Sequence, residues 1–516
     1  MFIRRLLVHE FLENSASLYP DKTAVIHDGC RYTYSEINGL ANNLARTLSS
    51  CGVIEGDRIV IILENSIEYI ISYYAAMKCG GTAVPLGSDL RGAVFKSIFS
   101  ELDCSALIIP SKYEKNISGS ALTEQRLKAL VIKGTAFALS GAENVISWSD
   151  AVQGDHSKLN VTVSPDNLSS IIYTSGSTGV PKGVMLTHSN IAANTESICS
   201  YLKLTSEDRQ MVVLPFPYVF GQSLLNTHFA VSGSVVINNR FAYTASVLKQ
   251  MEEESVTGFS GVPSTYAYLL HRSPLHSYMD RLPYLRYCSQ AGGHMPRRIK
   301  QGLLKILPQH TELYIMYGAT EASARLTYLP PEKLKNKIES IGKPVSGVEL
   351  KVLDVNGVEL KDGETGELVA SGPNIMKGYW KDGELTSQVL DSNGYHTGDM
   401  GYKDDEGFFY LTGRKDSILK ISGYKVNSRE VEDALVETGL VVESAVIGVP
   451  DDLLSTRLVA YAVAVDDTVT ENDIIEKCSV ILPKYAVPSE LKLMKALPKK
   501  GNGKIDFSSL PVVVMT

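Results

Sequence analysis

The chain has 516 residues, more than one hydrophobic core usually organises, so we expect at least two domains. Its formal net charge of −7 argues against nucleic acid as a partner, because binding to a phosphate backbone calls for a clustered basic surface. The absence of any apolar run of about eighteen residues argues against a transmembrane helix. The seven scattered cysteines contain no Cys-x-x-Cys pair, and we expect a cytoplasmic protein with reduced thiols.

The first part of the chain alternates short apolar runs with helical periods. The apolar run 58–63 predicts a strand, and apolar residues at helical spacing predict a helix over 67–77. Gly80-Gly81 follows and indicates the end of this strand–helix unit. This alternation is typical of βαβ units and predicts an α/β region that extends to about residue 330. Residues 113–160 carry little pattern, and we expect an irregular segment there. Further buried strands are predicted at 106–109, 210–214, 234–237 and 313–316.

One loop of this region is rich in glycine and hydroxyl groups. It is Tyr173-Thr-Ser-Gly-Ser-Thr-Gly-Val-Pro-Lys-Gly183, after the apolar run 168–172. Glycines let backbone N–H groups approach an anion, and hydroxyls and a lysine add donors and charge, so the loop suits a polyphosphate. It is not a P-loop, since that motif has Ser or Thr directly after the lysine; a flexible surface loop is the alternative that composition alone favours. The candidate phosphate-binding residues are Thr174, Ser175, Gly176, Ser177, Thr178, Gly179 and Lys182.

At Gly342 the sequence pattern changes from alternating strands and helices to β segments. Alternating residues and the turn signal Asn356-Gly357 predict a β subdomain over about 340–412. A compact α+β set follows residue 416, with helices predicted at 428–437 and near 471–482. We therefore expect residues 1–412 to form a large N-terminal domain and residues 417–516 a small C-terminal domain.

The order of residues in the glycine-rich loop closely resembles the phosphate loop of the adenylate-forming enzymes, the superfamily of acyl-CoA synthetases, peptide-synthetase adenylation domains and beetle luciferases. Three further segments occur in the expected order: Tyr317-Gly-Ala-Thr-Glu321, Tyr395-His-Thr-Gly-Asp399 with its continuation to residue 416, and Leu497-Pro-Lys-Lys-Gly-Asn-Gly-Lys-Ile-Asp506. The resemblance covers roughly residues 8–510. It implies an α/β fold with α/β subdomains and a β subdomain in the large domain, and a mobile α+β C-terminal domain.

By this resemblance the protein binds ATP and Mg²⁺. The ring of Tyr317 would lie against adenine, Thr320 would contact the α-phosphate, and Glu321 would ligate the metal, with Gly318 also part of the nucleotide site. A hard carboxylate oxygen beside a metal is what a charged triphosphate tail needs. The superfamily more often has Pro or Gln where Ala319 stands, a departure that leaves the role of Glu321 intact.

The resemblance also assigns roles in the later segments. Asp399 would accept both ribose hydroxyls and Arg414 would bridge ribose and phosphate with its rigid fork. Residues 413–416, and Asp416 in particular, match the hinge about which the small domain swings. Lys504 matches the catalytic lysine that stabilises charge during adenylation. Taken singly, these residues are also typical of turns and solvated surface positions.

The implied reaction converts a carboxylic acid to an acyl-adenylate with release of pyrophosphate, and then transfers the acyl group to a pantetheine thiol. Catalysis is assigned to Lys504, Thr320 and Glu321. Ser422, Gly423 and Tyr424 would line the pantetheine tunnel. We expect CoA as the acceptor, as in many stand-alone relatives of this length, with the phosphopantetheine of an acyl carrier protein as the alternative. A luciferase-like oxygenase or a non-catalytic nucleotide-binding module are alternatives from other classes.

The acyl pocket is expected between residues 215–221 and 290–295. No Asp occurs in 212–227 to pair an α-ammonium, so we expect a fatty or aromatic acid rather than an amino acid. The expected wall residues are Tyr218, Val219, Gly221, Gly292 and Gly293.

Overall fold

The computed structural model describes residues 6–88, 90, 92–117, 126–139, 141–175, 181–415, 418–421, 424–451 and 455–511. Two large sheets pack against a shared layer of helices, and three smaller sheets follow toward the C-terminus. The structure therefore has the expected class: a large α/β N-terminal part with a β subdomain, and a small α+β C-terminal part.

The first large sheet has nine strands, of which the six central ones are parallel and the terminal ones antiparallel. Its parallel strands are almost wholly buried, which explains their continuous apolar runs. In spatial order the strands are Lys343–Pro344, Thr327–Leu329, Glu312–Tyr317, Tyr287–Gln290, Gly258–Gly261, Arg209–Val212, Ser234–Ile237, Thr23–His27 and Cys30–Thr33.

The second large sheet has eight strands and includes an antiparallel hairpin, outside which one further short strand pairs. Two of its parallel strands fall in residues 113–160, where an irregular segment was expected, so that expectation is wrong. Ala129–Lys133 pairs in parallel with Cys104–Pro110, a strand that does not directly precede it along the chain. Its first four residues are buried in the sheet, and this burial stabilises the short strand. In spatial order the strands are Gly378–Tyr379, Pro181–Thr187, Leu168–Ser175, Thr82–Pro85, Arg58–Ile61, Cys104–Pro110, Ala129–Lys133 and Val145–Ser147.

A layer of helices joins the two large sheets into one core. Val25 of the first sheet, Ile59 of the second, and Leu44 and Ile70 of the intervening helices belong to a single buried cluster. The helix that carries Leu44 starts at a capping box formed by Thr33 and Glu36, as its sequence suggests. The helices of the large domain are Glu10–Leu18, Tyr34–Ser50, Ile67–Lys78, Gly92–Leu102, Glu114–Ile117, Trp148–Ala151, His188–Tyr201, Val219–Ala230, Thr244–Glu253, Pro263–Arg272, Arg297–Ile306 and Gly383–Val389.

A five-stranded antiparallel sheet follows the large sheets, in the region expected to form a β subdomain. It has its own small core, in which Leu350, Leu368 and Phe409 are buried. Its long strand Gly394–Lys403 brings the segment around residue 399 toward the first large sheet. The strands are Glu349–Leu353, Gly366–Ser371, Gly394–Lys403, Leu390–Asp391 and Phe409–Arg414.

The C-terminal α+β set packs on helices Pro263–Arg272 and Arg297–Ile306 of the large domain. Its predicted helix at 428–437 occurs as Ser428–Glu437, and the second helix spans Glu471–Ile481. Within the described ranges, no helix combines the length and apolar character needed to cross a membrane. The strands of this part are Ile418–Ile421 and Tyr424–Asn427 in one sheet, and Val441–Asp451, Ser455–Ala464 and Glu490–Leu493 in another.

Candidate active site

A cleft of about 570 Å³ opens beyond the carboxyl ends of the parallel strands Tyr287–Gln290 and Glu312–Tyr317. Ligands of open α/β sheets commonly bind at such ends, where loops rather than paired backbone groups face the solvent. The five-stranded sheet and the C-terminal part close the cleft from two other sides. The predicted site residues that line it are Thr174, Lys182, Gly292, Gly293, Tyr317, Gly318, Thr320, Glu321, Asp399, Arg414 and Lys504.

At one end of the cleft, three predicted nucleotide-binding residues touch one another. The Tyr317 hydroxyl donates a hydrogen bond of 2.6 Å to Asp399 Oδ2. Arg414 faces Asp399 across the antiparallel strands, and its Nε lies 3.6 Å from Asp399 Oδ1. Burial raises the pKa of Asp399, while Arg414 and the Tyr317 hydrogen bond oppose that rise. A carboxylate held this way keeps acceptor capacity for a ligand with neighbouring hydroxyl groups.

The hairpin at the other end of the cleft presents Thr174 and Lys182 directly opposite each other. Its first strand ends at Ser175, and the predicted phosphate-loop residues Gly176, Ser177, Thr178 and Gly179 lie outside the described residues. The Lys182 ammonium sits 5.6 Å from the ring centroid of Tyr379. This arrangement aims a cation and a hydroxyl into the cleft, as an anionic ligand requires.

Tyr379 is a site residue that the sequence analysis missed. Its strand Gly378–Tyr379 pairs with the second hairpin strand, and its hydroxyl donates a 2.8 Å hydrogen bond to Glu321 Oε1. Burial and the neighbouring Glu321 raise the pKa of this phenol, so it stays protonated and able to donate. Nothing in the sequence around residue 379 signals this contact, because it depends on the pairing of Tyr379 with Val184, which is remote in sequence.

The fit of a Mg²⁺ ion rests on Glu321. One of its oxygens accepts the Tyr379 hydrogen bond, and the other has no hydrogen-bond partner among the described residues. The same residues contain no group of three or more His, Cys, Asp or Glu side chains that would form a protein-only metal cage. Mg²⁺ is commonly held by one or two carboxylates together with phosphates and water, and a single free carboxylate oxygen in the cleft fits that pattern.

Lys504 reaches the cleft on a tight loop of the C-terminal part. The loop is closed by hydrogen bonds from Lys500 N to Lys504 O and from Gly503 N to Lys500 O, with Gly503 at a φ of +79°. Ser264 of the large domain donates a 2.9 Å hydrogen bond to the Gly503 carbonyl. The Lys504 Cε atom lies 3.5 Å from where a Cβ would stand at Gly292. The loop is therefore seated against the large domain with its lysine directed into the site.

The surroundings of Lys504 shift its ionisation. The residue keeps solvent access through the cleft, yet protein atoms surround the ammonium, and this desolvation lowers its pKa. Glu321 and Asp399 act in the opposite direction. The cleft therefore combines a lysine with two carboxylates, a set of charges that can accept an anionic phosphate together with a metal ion.

The expected acyl-pocket residues divide into two groups. Gly292 and Gly293 line the cleft, whereas Tyr218, Val219 and Gly221 do not border the cavity that the described residues enclose. Tyr218 precedes the helix Val219–Ala230, and a Cβ at Gly221 would lie 2.1 Å from the Pro215 carbonyl oxygen. Gly221 is thus required for the close packing of this helix start rather than for contact with the cleft.

Of the predicted pantetheine and hinge residues, the structure describes the side chain of Tyr424. Ser422, Gly423 and Asp416 fall outside the described residues. Tyr424 is exposed and stacks on Tyr485 with ring centroids 4.2 Å apart. In this orientation of the C-terminal part, Lys504 occupies the cleft and Tyr424 does not line it.

A second cavity of about 300 Å³ lies between the two parts of the protein, beside the Lys504 loop. It is lined by residues of both parts, including Gly292, Val442 and Glu432. Burial, together with the nearby Asp433, raises the pKa of Glu432 to about 8, against a hydrogen bond from the Val446 N–H. Next to it, Asp433 Oδ1 lies 2.8 Å from Nε2 of His294, a contact between the two parts.

Comparison with known proteins accounts for this geometry. The family model "AMP-binding enzyme" matches residues 12–380, and its C-terminal domain model matches residues 430–504. A long-chain-fatty-acid–CoA ligase of Bacillus subtilis (strain 168) is 31% identical, over 96% of this chain and 93% of the relative.

Two solved structures are similar over nearly the whole chain. An anthranilate CoA ligase, AuaEII, in complex with anthranoyl-AMP has a TM-score of 0.88 at 24% identity and supports the fold, with coverage of 97% of this chain and 96% of that one. The o-succinylbenzoate CoA synthetase of Bacillus subtilis, solved with ATP and magnesium ion, has a TM-score of 0.80 at 26% identity, covering 97% and 98%. The match of the family models over most of the sequence shows that this chain belongs to the AMP-binding enzyme family.

Proposed function

We propose that this protein is an AMP-forming acid–CoA ligase, which activates a carboxylic acid with ATP and passes the acyl group to the thiol of CoA. The observation that carries the proposal is the meeting of four sequence segments, separated by up to about 330 residues, around one cleft that contains Lys504, Glu321, Asp399 and Lys182. Relatives named as CoA ligases and a neighbour solved with ATP and magnesium ion support the same assignment.

In the first half-reaction, a carboxylate oxygen forms a bond to the α-phosphorus of ATP while the bond to pyrophosphate breaks. Asp399 and Arg414 hold the ribose, and Thr174 and Lys182 bind the departing phosphates. Thr320 and Lys504 stabilise the charge that builds on the α-phosphate. A Mg²⁺ ion held at Glu321 would neutralise part of the phosphate charge.

In the second half-reaction, the thiol sulfur bonds to the acyl carbon, AMP leaves with the bonding electrons, and the thiol proton passes to solvent. Lys504 lies against Gly292 within the cleft, and we infer that it must withdraw before a thiol arm can enter. We therefore assign residues 1–412 to a fixed domain, 413–416 to a hinge and 417–516 to a domain that swings, taking Lys504 out and bringing Ser422, Gly423 and Tyr424 in.

The acceptor and the compartment are finer parts of the proposal. CoA is preferred because the named relatives and neighbours are CoA ligases, with a carrier-protein phosphopantetheine as the alternative acceptor. A cytoplasmic location agrees with seven cysteines that lack a Cys-x-x-Cys pair.

The test is a coupled assay on the purified full chain with a panel of acids, ATP, Mg²⁺ and CoA. The expected result is one AMP, one pyrophosphate and one acyl-CoA formed per acid consumed. Replacing CoA by a phosphopantetheinylated carrier protein measures the alternative acceptor. Light emission with ATP and an oxidisable acid but no CoA would instead indicate an oxygenase, and ATP binding without turnover of any acid would indicate a non-catalytic module.

A further inference from the structure

Arg429 is a half-buried cation of the C-terminal part, and it lines the cleft together with the predicted nucleotide-binding residues. It lies in the first turn of the helix Ser428–Glu437, where its backbone N–H donates a 3.0 Å hydrogen bond to the side chain of Asn427. This cap fixes the start of the helix, and with it the point from which the Arg429 side chain extends. A guanidinium carries five N–H donors in a rigid fork, so its partners decide whether it can also bind a ligand.

One donor of Arg429 is engaged by His294 of the large domain. A terminal guanidinium nitrogen contacts Nδ1 of His294, and since a guanidinium only donates, Nδ1 accepts. The ring hydrogen is therefore on Nε2, which donates to Asp433 Oδ1 at 2.8 Å. Burial lowers the pKa of His294, and Arg429 and Lys300 act in the same direction against Asp433, so the ring stays neutral. Asp433 thus orients His294, and His294 orients the guanidinium.

The carboxylates around Arg429 leave its other donors available. In the part of the chain that the structure describes, none of the carboxylates whose charges act on Arg429 forms an ion pair with it. Each of them has a partner of its own, and these contacts are Asp433 with His294, Asp399 with Tyr317, Glu432 with the Val446 N–H, and Glu339 with Lys300 at 3.7 Å. The negative surroundings keep Arg429 charged, while most of its fork remains free for a ligand.

The cleft provides room for a ligand beside Arg429. Its volume is about 570 Å³, and Arg429 is one of the residues that line it. Asp399 and Arg429 act on each other electrostatically, so Arg429 belongs to the end of the cleft that holds Tyr317 and Asp399, opposite the hairpin that carries Lys182. A nucleotide that places its ribose at Asp399 therefore brings its adenosine portion, rather than its terminal phosphates, toward this guanidinium.

We propose that Arg429 is a nucleotide-binding residue which the C-terminal part contributes, that it donates to the adenosine portion of ATP beside Asp399, and that His294 and Asp433 position it. The inference rests on the proposed ligase function and adds a second group to Lys504 that reaches the cleft from the C-terminal part. Lys504 would meet the α-phosphate and Arg429 the nucleoside. Since both groups leave the cleft in the proposed swing, Arg429 acts in adenylation and not in thiolysis.

The competing role for Arg429 is a purely structural one, in which it only helps to hold the two parts of the protein together. Arg272 offers the matched comparison. It also crosses between the two parts, donating to the Ala464 carbonyl at 2.9 Å, but it is not among the described residues that line the cleft. A structural role predicts similar effects when either arginine is removed, whereas a binding role predicts a loss of ATP affinity from removal of Arg429 alone.

The experiment measures the affinity of the purified full chain for Mg·ATP by calorimetry without an acid, and the KM for ATP in acid-dependent pyrophosphate exchange. Arg429→Gln should weaken ATP binding and raise this KM by about 10- to 100-fold, as for the loss of hydrogen bonds from a charged donor. Inhibition by free pyrophosphate and thiolysis of a prepared acyl-adenylate should be unchanged. Arg429→Lys keeps the charge without the fork and should lose less affinity, and it also serves if the glutamine variant does not fold. Arg272→Gln should match the wild-type protein in ATP affinity.

Variants that keep or remove the acceptor test the positioning role of His294. His294→Asn retains an acceptor near the place of Nδ1 and should keep most of the ATP affinity, whereas His294→Leu should lose about tenfold. In the Arg429→Gln background, His294→Leu should cause no further loss, because it acts through the guanidinium. Additive losses would overturn the positioning role.

Three outcomes would overturn the nucleotide contact while leaving the ligase function intact: an unchanged ATP affinity in folded Arg429 variants, an equal loss in Arg272→Gln, or a loss of affinity that extends equally to free pyrophosphate. Absence of acid-dependent AMP formation by the wild-type protein with every acid of the panel would instead overturn the ligase function. The calorimetric affinity for ATP, which needs no acid, would then still decide whether Arg429 binds the nucleotide.

Discussion

Replacement of Lys504 by alanine should separate the two half-reactions. The ammonium is desolvated in the cleft that Glu321 and Asp399 also line, and it interacts electrostatically with both, so it is positioned to meet an α-phosphate that gains charge during adenylation. Two unit charges about 4 Å apart interact by about 4 kcal/mol at an effective dielectric constant of about 20. Loss of an interaction of this size lowers a rate by about 10³-fold. We therefore expect Lys504→Ala to reduce adenylate formation by roughly that factor.

The assay measures each half-reaction separately. Acid-dependent exchange of pyrophosphate into ATP reports adenylation, and formation of acyl-CoA from a chemically prepared acyl-adenylate reports thiolysis. The second rate should remain close to that of the wild-type protein, because the proposed mechanism withdraws Lys504 before the thiol enters. Lys499→Ala on the same loop is the matched control: Lys499 pairs with Glu443, and an exposed pair of this kind contributes at most about 1 kcal/mol. An equal loss of both half-reactions in Lys504→Ala, with a normal thermal midpoint, would refute the assigned role.

Three further predictions address the phosphate end, the domain interface and the hinge. Lys182→Ala should raise the KM for ATP by about tenfold or more, while thiolysis of the prepared acyl-adenylate should be unchanged. If the ATP kinetics of this variant are unchanged, the hairpin does not bind phosphate and is an ordinary surface loop. Because the pKa of Glu432 is raised from 4.5 to about 8, the folded protein binds more protons than the unfolded chain between these values, and its free energy of unfolding falls as pH rises through that window. Glu432→Gln should remove this decline, so its thermal midpoint should exceed that of the wild-type protein at pH about 9 more than at pH about 5; parallel pH profiles would contradict the prediction. Asp416→Pro should retain pyrophosphate exchange while acyl-CoA formation falls by orders of magnitude, and a parallel decline of both rates would exclude a hinge at that position.

Local patterns in the sequence predict much of the fold. The strand Ser234–Ile237 and the helix Ser428–Glu437 have the expected bounds, because each is marked by a compact apolar run or by a polar residue at the helix start. The strands Ala129–Lys133 and Val145–Ser147 were missed for different reasons. Ala129–Lys133 carries a four-residue apolar run like that of 106–109, and its signal was overlooked among weakly patterned neighbours. Val145–Ser147 has three residues and obtains its hydrogen bonds from a partner strand, so it leaves little local signal.

The residues of the site also fall into two groups, those that sequence motifs predict and those that only the tertiary structure reveals. Residues of ordered motifs, such as Tyr317, Asp399 and Lys504, were predicted as a set, and the structure brings them around one cleft. Tyr379 was not predicted, since its importance lies in a contact with Glu321 that only the tertiary fold creates.

The contacts between the two parts of the protein bear on how the domain swing can occur. A buried apolar cluster continues from helices Pro263–Arg272 and Arg297–Ile306 into the C-terminal part. Polar bonds add to it: Ser264 to the Gly503 carbonyl, His294 to Asp433 and to Arg429, and Arg272 to the Ala464 carbonyl at 2.9 Å. Each such bond contributes about 0.5–1.5 kcal/mol, because water replaces it when the parts separate. The cavity of about 300 Å³ further reduces the attraction, since the side chains that line it lack partners on one side. An interface of this kind holds Lys504 in place during adenylation, and the free-energy cost of the proposed swing is then set mainly by the apolar area that becomes exposed when the two parts separate.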